Sequence, residues 1–172
     1  PRVRDLGAYE LEAAPSGPVV TTGLDVVDRF DDVVSLREAI AFNEAQGGGG
    51  TITFAESAGA VIRLTLGSLT ANRAFTLDGG GTVTITGDAD ADDVLVNGLT
   101  DVARSQVGED RLDDNLQLFR IGSADVVFTG LTLTGGRTGS GGFEGGAVAA
   151  GGAVTIADAL VAGNSTGGGA AA

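Results

Sequence analysis

Two hydrophobic periods divide this chain. In VSLREAIAFNEAQ (34–46) the buried-type positions Leu36, Ala39, Ile40 and Asn43 recur at helical spacing and form one stripe. Ser35 and Glu38 stand in the SxxE relation of a capping box, and Gly47 supplies a left-handed stop, so the spacing predicts one short amphipathic helix. After four glycines the period drops to two. TITF (51–54), VIRLTL (61–66), AFTLD (74–78) and TVTIT (82–86) alternate, are rich in Thr, Val and Ile, and read as short strands between Gly-bearing turns. Upstream, VVTTGLDVVDRFDD offers one strand and an acidic turn, preceded by a unit at 1–18 that ends in the linker-like AAPSGP.

The later chain repeats itself. DVVFTGLTLTGG (125–136) and AVTIADALVAGN (153–164) align as apolar-x-apolar, a two-residue link, apolar-x-apolar and a Gly-containing corner. Phe128 and Ile156 are equivalent, an offset of 28 residues (156 − 128), which is the signature of units that stack on their neighbours. Hairpin dipeptides are few, Asp78-Gly79 and Asn97-Gly98, so parallel stacking is expected over hairpins. These patterns predict an all-β fold, a right-handed parallel β-helix (a solenoid) with one N-terminal capping α-helix. In that fold Leu36 and Ile40 would pack over the lowest coil, covering its apolar interior and its unpaired edges. The expected divisions are 1–18, then 19–50 as entry strand and capping helix. Coils follow over 51–172, with an acidic insertion at about 87–115.

Composition narrows the chemistry. Apolar residues make up 42% of the chain but aromatics only 5%, and 30 residues are glycine, so the core must be thin and built from small and β-branched side chains. All ten basic residues are Arg, and His, Cys, Met and Trp are missing too. Thiol and Ser–His nucleophiles, Schiff-base lysine and imidazole or thiolate zinc sites are thereby excluded from this chain. A net charge of −13 opposes nucleic acid and anionic membrane partners. No apolar run reaches the roughly 18 residues needed for membrane insertion. PRVRDLGAYE has no signal-peptide core, so an exported protein would carry its signal elsewhere.

VSLREAI (34–40), FNEAQGGGGTITF and LTLGSLTANRAFTLDGGGTVTITGD together resemble the start of the bacterial CSLREA-domain proteins, with Val34 at the family's leading cysteine. The resemblance covers about Val19 to Gly87 and implies a large secreted or surface-attached parallel β-helix protein. RDLGAYELE (4–12) resembles the DIGAYE segment that closes β-helix domains in choice-of-anchor proteins, with Leu6 replacing isoleucine. That resemblance implies a module junction, in which Leu6 and Tyr9 within 1–18 close a preceding module or a neighbouring copy, giving head-to-tail assembly.

Asp88, Asp90 and Asp92 in GDADADDVLVNG have the DxDxD spacing that can wrap Ca²⁺, although Asp93 and Leu99 stand where an EF-hand needs Gly and Glu. The insertion continues through Glu109, Asp110, Asp113 and Asp114 beside Arg104 and Arg111, a mixed-charge surface excursion. GGRTGSGGFEGGAVAAGG (135–152) lacks both GK[ST] and the aspartate of a calcium nonapeptide repeat, and reads as glycine corners. Asn164 suits an amide ladder. Carboxylates are not clustered on successive strands, so catalysis on polysaccharide is not favoured. The expected function is a non-enzymatic structural or adhesive module of an extracellular or cell-surface bacterial protein. Its partners would be other copies or modules and surface glycans. The alternative is a carbohydrate-binding or polysaccharide-degrading β-helix domain.

Overall fold

The computed structural model describes residues 18–28, 30–87, 117–138 and 145–166. Its α-helix, α1 (Leu36–Ala45), begins as the capping box requires. Ser35 Oγ accepts from the Glu38 amide at 3.2 Å, and Glu38 Oε2 accepts from the Ser35 amide at 2.9 Å. Gly47, at φ 93°, leads the chain away. Before the helix lies β1 (Val19–Val20). After it come β2 (Gly50–Phe54), a 3-10 turn (Glu56–Ala58), β3 (Val61–Leu64), β4 (Leu69–Ala71) and β5 (Phe75–Gly87). Then follow β6 (Phe119–Ile121), β7 (Val126–Thr134), β8 (Arg137–Thr138), β9 (Val148–Ala150), β10 (Val154–Ala157), β11 (Leu160–Val161) and β12 (Ser165–Thr166).

Every pairing among these strands is parallel. A seven-stranded sheet runs β1-β2-β5-β7-β10, with β3 beside β5 and β11 beside β7; a second runs β4-β6-β9, and β8 pairs with β12. Ile156 lies in register with Phe128, the 28-residue step visible in the sequence. Phe128 of β7 meets Phe119 of β6 edge-on at 4.8 Å and Phe75 of β5 at 6.1 Å, so the two larger sheets share one core.

This arrangement corrects the expected all-β, right-handed parallel β-helix with its capping helix. The described strands form open parallel sheets beside a helix, an α/β-like arrangement in which the sheets do not close into a solenoid. One local reason lies at Gly79–Gly81. The sequence reads these glycines as a corner between two short strands, but β5 passes through them as a single strand of 13 residues. Gly80 and Gly81 take φ of 59° and 83°, and the register with β7 shifts between Asp78 and Val83, so the glycines make a bulge. A Cβ at Gly79 would lie 2.6 Å from the Leu131 side chain, so close approach of β7 also demands glycine there.

The helix covers the end of both larger sheets at which β1 and β4 lie. Leu36, Ala39 and Ile40 are buried, and α1 packs on β1, β2 and β4. Because Pro18 and Val20 direct their carbonyls to β2, Thr21 points its amide away from the sheet; the Val34 carbonyl takes that amide at 2.8 Å, and Thr21 Oγ1 accepts from the Val34 amide in return. Beside β4, Glu44 Oε1 accepts from the Asn72 and Arg73 amides, while Arg37 donates to the carbonyls of Gly67 (2.7 Å) and Ser68 (3.2 Å). The buried Asn43 joins the Gly50 amide (2.9 Å) to the Ala74 carbonyl (3.0 Å). The amides of Thr21, Asn72 and Arg73 beside this edge therefore have partners, which narrows the template for adventitious strand pairing.

Asp25 fixes the cover in place. Its side chain is 1% exposed, and its two oxygens receive Arg37 Nε and Nη2, each at 2.9 Å, in a bidentate pair. Oδ2 also accepts from the amides of Thr65 (2.9 Å) and Leu66 (2.8 Å), so one carboxylate ties the segment before the helix to α1 and to the β3–β4 turn. Removing it leaves two amides unpaired and a partly buried guanidinium with only the Gly67 and Ser68 carbonyls for partners. Asp25→Ala is expected to lower unfolding free energy by about 3–5 kcal/mol, measured by urea denaturation. A loss under about 1 kcal/mol, the size of an exposed pair, would show that the contact is dispensable.

Candidate functional site

Among the described residues the opposite edge has no such cover. Apolar rows cross the seven-stranded sheet in register, Ile52–Leu77–Phe128–Ile156 in one and Phe75–Val126–Val154 in another, with Ile62–Ile85–Leu133–Val161 beyond the bulge. Each member up to β7 is buried. On β10 and β11 the same rows emerge into solvent: Val154, Ile156 and Val161 are between 38% and 47% exposed. The change comes from position alone, because the alternation of β10 (VTIA) matches that of the buried strands.

The backbone of this edge is also open. The Ala153 carbonyl accepts from the Val126 amide at 2.9 Å, so by the alternation of a parallel ladder Thr155 directs its N–H and C=O toward β7. Val154 and Ile156 direct theirs outward. The Ala162 amide donates to the Leu133 carbonyl at 3.1 Å, which likewise turns the backbone of Val161 outward. Neighbouring corners are well anchored. Asn164 Oδ1 accepts from the Gly136 amide at 2.8 Å while Nδ2 donates to the Leu133 carbonyl at 2.9 Å, and Asp125 Oδ1 accepts from the Ala153 amide at 2.8 Å. A rigid strand edge with apolar side chains and unpaired amides is suited to binding another strand.

A second feature is a cleft of about 390 Å³ between β2, the 3-10 turn and the bulge of β5. Glu56 and Asp78 both line it, with Phe54. Asp78 Oδ1 accepts from the Gly80 amide at 2.9 Å, which commits that oxygen to the bulge. Sequence reasoning missed this pairing of carboxylates, because Asp78 reads as a turn residue and Glu56 stands 22 positions earlier (78 − 56).

The sequence-predicted sites fare differently. Asp88, Asp90 and Asp92 lie outside the described residues, as do Leu6 and Tyr9 and nearly all of the acidic insertion. Leu36 and Ile40 come together in the helix contact and are buried at 1% and 3% exposure. Asn164 Oδ1 accepts from the Gly136 amide one 28-residue step earlier, a bond to backbone and not to a stacked amide side chain. Among the described residues no three carboxylates gather as a metal site, and no helix is long and apolar enough to cross a membrane.

The chain matches no protein-family model, no curated protein and no solved structure. The open edge therefore has to be understood from its own chemistry. Phe128 and Ile156 occupy one row but differ in burial, which allows a paired test in dilute protein. Phe128→Ala is expected to cost about 3–5 kcal/mol, and Ile156→Ala under about 1 kcal/mol, as at other lightly packed surface positions. Thermal and urea melts read both. Equal costs would mean that the edge is already covered.

Proposed function

We propose that this chain is a non-enzymatic structural or adhesive module of a large extracellular bacterial surface protein, which joins other copies or modules through its uncovered sheet edge. The observation that supports this reading is the burial contrast along each apolar row, complete as far as β7 and lost at β10 and β11. Burying a fully exposed Val or Ile side chain contributes about 1.5–3 kcal/mol, and Val154, Ile156 and Val161, at 38–47% exposure, retain roughly half of that for a contact at this edge. The acidic composition and the resemblance of the SLREAI segment to CSLREA-domain proteins agree with a secreted or surface setting. Ca²⁺ held by Asp88, Asp90 and Asp92 belongs to the same reading, with carboxylates as hard oxygen ligands.

Two measurements test it. Sedimentation of the whole chain from micromolar to submillimolar concentration is expected to reveal association that Ile156→Glu abolishes without lowering the melting temperature. A chain that stays monomeric throughout, or one that cleaves acidic polysaccharide in a manner lost with Glu56→Gln, would overturn the structural reading. Chelation with EDTA is expected to lower the melting temperature by several degrees, since a metal that binds only the folded state stabilises it. An unchanged melt removes the ion.

A further inference from the structure

Resting on the adhesive part of that reading, we infer that the cleft between β2, the 3-10 turn and the bulge of β5 is a glycan site whose ligand is an amino sugar with a free, protonated amine. The first support is where the chain spends extra residues. Ile52, Leu77, Phe128 and Ile156 form one row in register, and Val61, Thr84, Thr132 and Leu160 form another. Between these rows β7 needs three residues (129–131), as does the β10–β11 connection (157–159), whereas β5 uses six (78–83) and the β2–β3 connection eight (53–60). Most of this surplus lies outside the core, with Glu56, Ser57, Gly80 and Thr82 exposed. Extra chain at one locus of a repeating scaffold, in a bulge and a neighbouring turn, is the form in which such scaffolds build binding sites.

The second support is that the cleft is preformed. The Ala55 amide donates to the Val20 carbonyl at 2.8 Å, Ser57 Oγ to the Thr21 carbonyl at 2.9 Å, and the Thr84 amide to the Ala60 carbonyl at 2.8 Å. The turn that carries Glu56 is thus anchored along its length. On the other side Asp78 is held through Oδ1 by the Gly80 amide. The space they border, about 390 Å³, falls within the roughly 300–1,000 Å³ of small-molecule sites.

The third support is the chemistry of the lining. Among the described lining residues Glu56 and Asp78 alone carry charge, Thr53 and Thr82 add hydroxyls, and Phe54 and Val83 add apolar surface. An anionic ligand is repelled by this set. A bare Ca²⁺ suits it poorly as well, because that ion takes about six to eight oxygens and one Asp78 oxygen is committed to the bulge. An aminated pyranose uses every part: its ammonium pairs with the carboxylates, its hydroxyls meet Thr53 and Thr82, and its C–H face lies against Phe54 and Val83. The chain has no Lys with which to fill the place itself.

The test is a titration of the whole chain with a glucosamine tetrasaccharide at mildly acidic pH, where the amine is protonated, followed by amide NMR. Saturable shifts are expected at residues 55–60 and 79–83. Asp78→Asn, which keeps an acceptor for the Gly80 amide, and Glu56→Gln should each weaken binding roughly tenfold or more, the loss of one charge-assisted hydrogen bond, with unchanged melting temperatures. The N-acetylated tetrasaccharide, with the same rings but no charge, should bind more weakly by a similar factor, and added salt should weaken the charged sugar. Equal binding of the two sugars, indifference to both variants, or shifts confined to other residues would overturn the inference. So would a lysine-rich peptide or CaCl₂ that engages the same residues more tightly than the sugar, assigning the cleft to a protein or a metal ion. A cleft silent to every probe, with association through Ile156 intact, overturns the sugar site and leaves the module reading standing.

Discussion

A parallel strand whose inward residues are apolar needs a neighbour on each side, and this requirement organises the whole molecule. Phe128 has one: β5 and β10 flank it, and the rings of Phe75 and Phe119 pack on it edge-on. Ile156, one strand further in the same row, has a neighbour only at β7. Strand by strand the sheet converts the same Val, Ile, Leu and Thr alternation into core as far as β7, and at β10 no further described strand covers it.

The two ends of the sheet solve this problem differently. At β1 and β4 the chain invests a helix, and the attachments of that helix are polar and directional. Asp25, Arg37, Asn43 and Glu44 each take backbone groups of a strand or turn that would otherwise face solvent or go unpaired. The apolar stripe of Leu36, Ala39 and Ile40 supplies burial, while the polar set supplies register. At β10 and β11 no helix, strap or edge charge intervenes among the described residues, apart from Asp158 at the corner. One end is built to stop pairing, and the other retains the chemistry that invites it.

Much of the local structure was legible in the sequence. The capping box, the helical stripe, Gly47 and the 28-residue offset all rest on short-range chemistry or simple periodicity, and each has its counterpart in α1 and in the Phe128–Ile156 register. The open sheets that replace the expected closed coil were not legible, because three consecutive glycines read equally as a corner or as a bulge inside one strand. Only the approach of Leu131 to Gly79 decides for the bulge. Asp25 looked like part of an acidic turn, since its partners Thr65 and Leu66 lie 40 and 41 residues away. The open edge was hidden for a related reason. AVTI reads as a core strand from its own pattern, and whether a neighbour covers it is a property of topology.

The central claim, that the β10 edge is completed by another chain, is tested most directly by residue-resolved amide hydrogen exchange at two protein concentrations. In dilute solution the outward amides of Val154 and Ile156 should exchange rapidly while Thr155, bonded toward β7, is protected. On raising the concentration, Val154 and Ile156 should become as slow as Thr155. Unchanged rapid exchange at those two amides at every concentration would contradict the claim, leaving β10 as an edge that nothing covers.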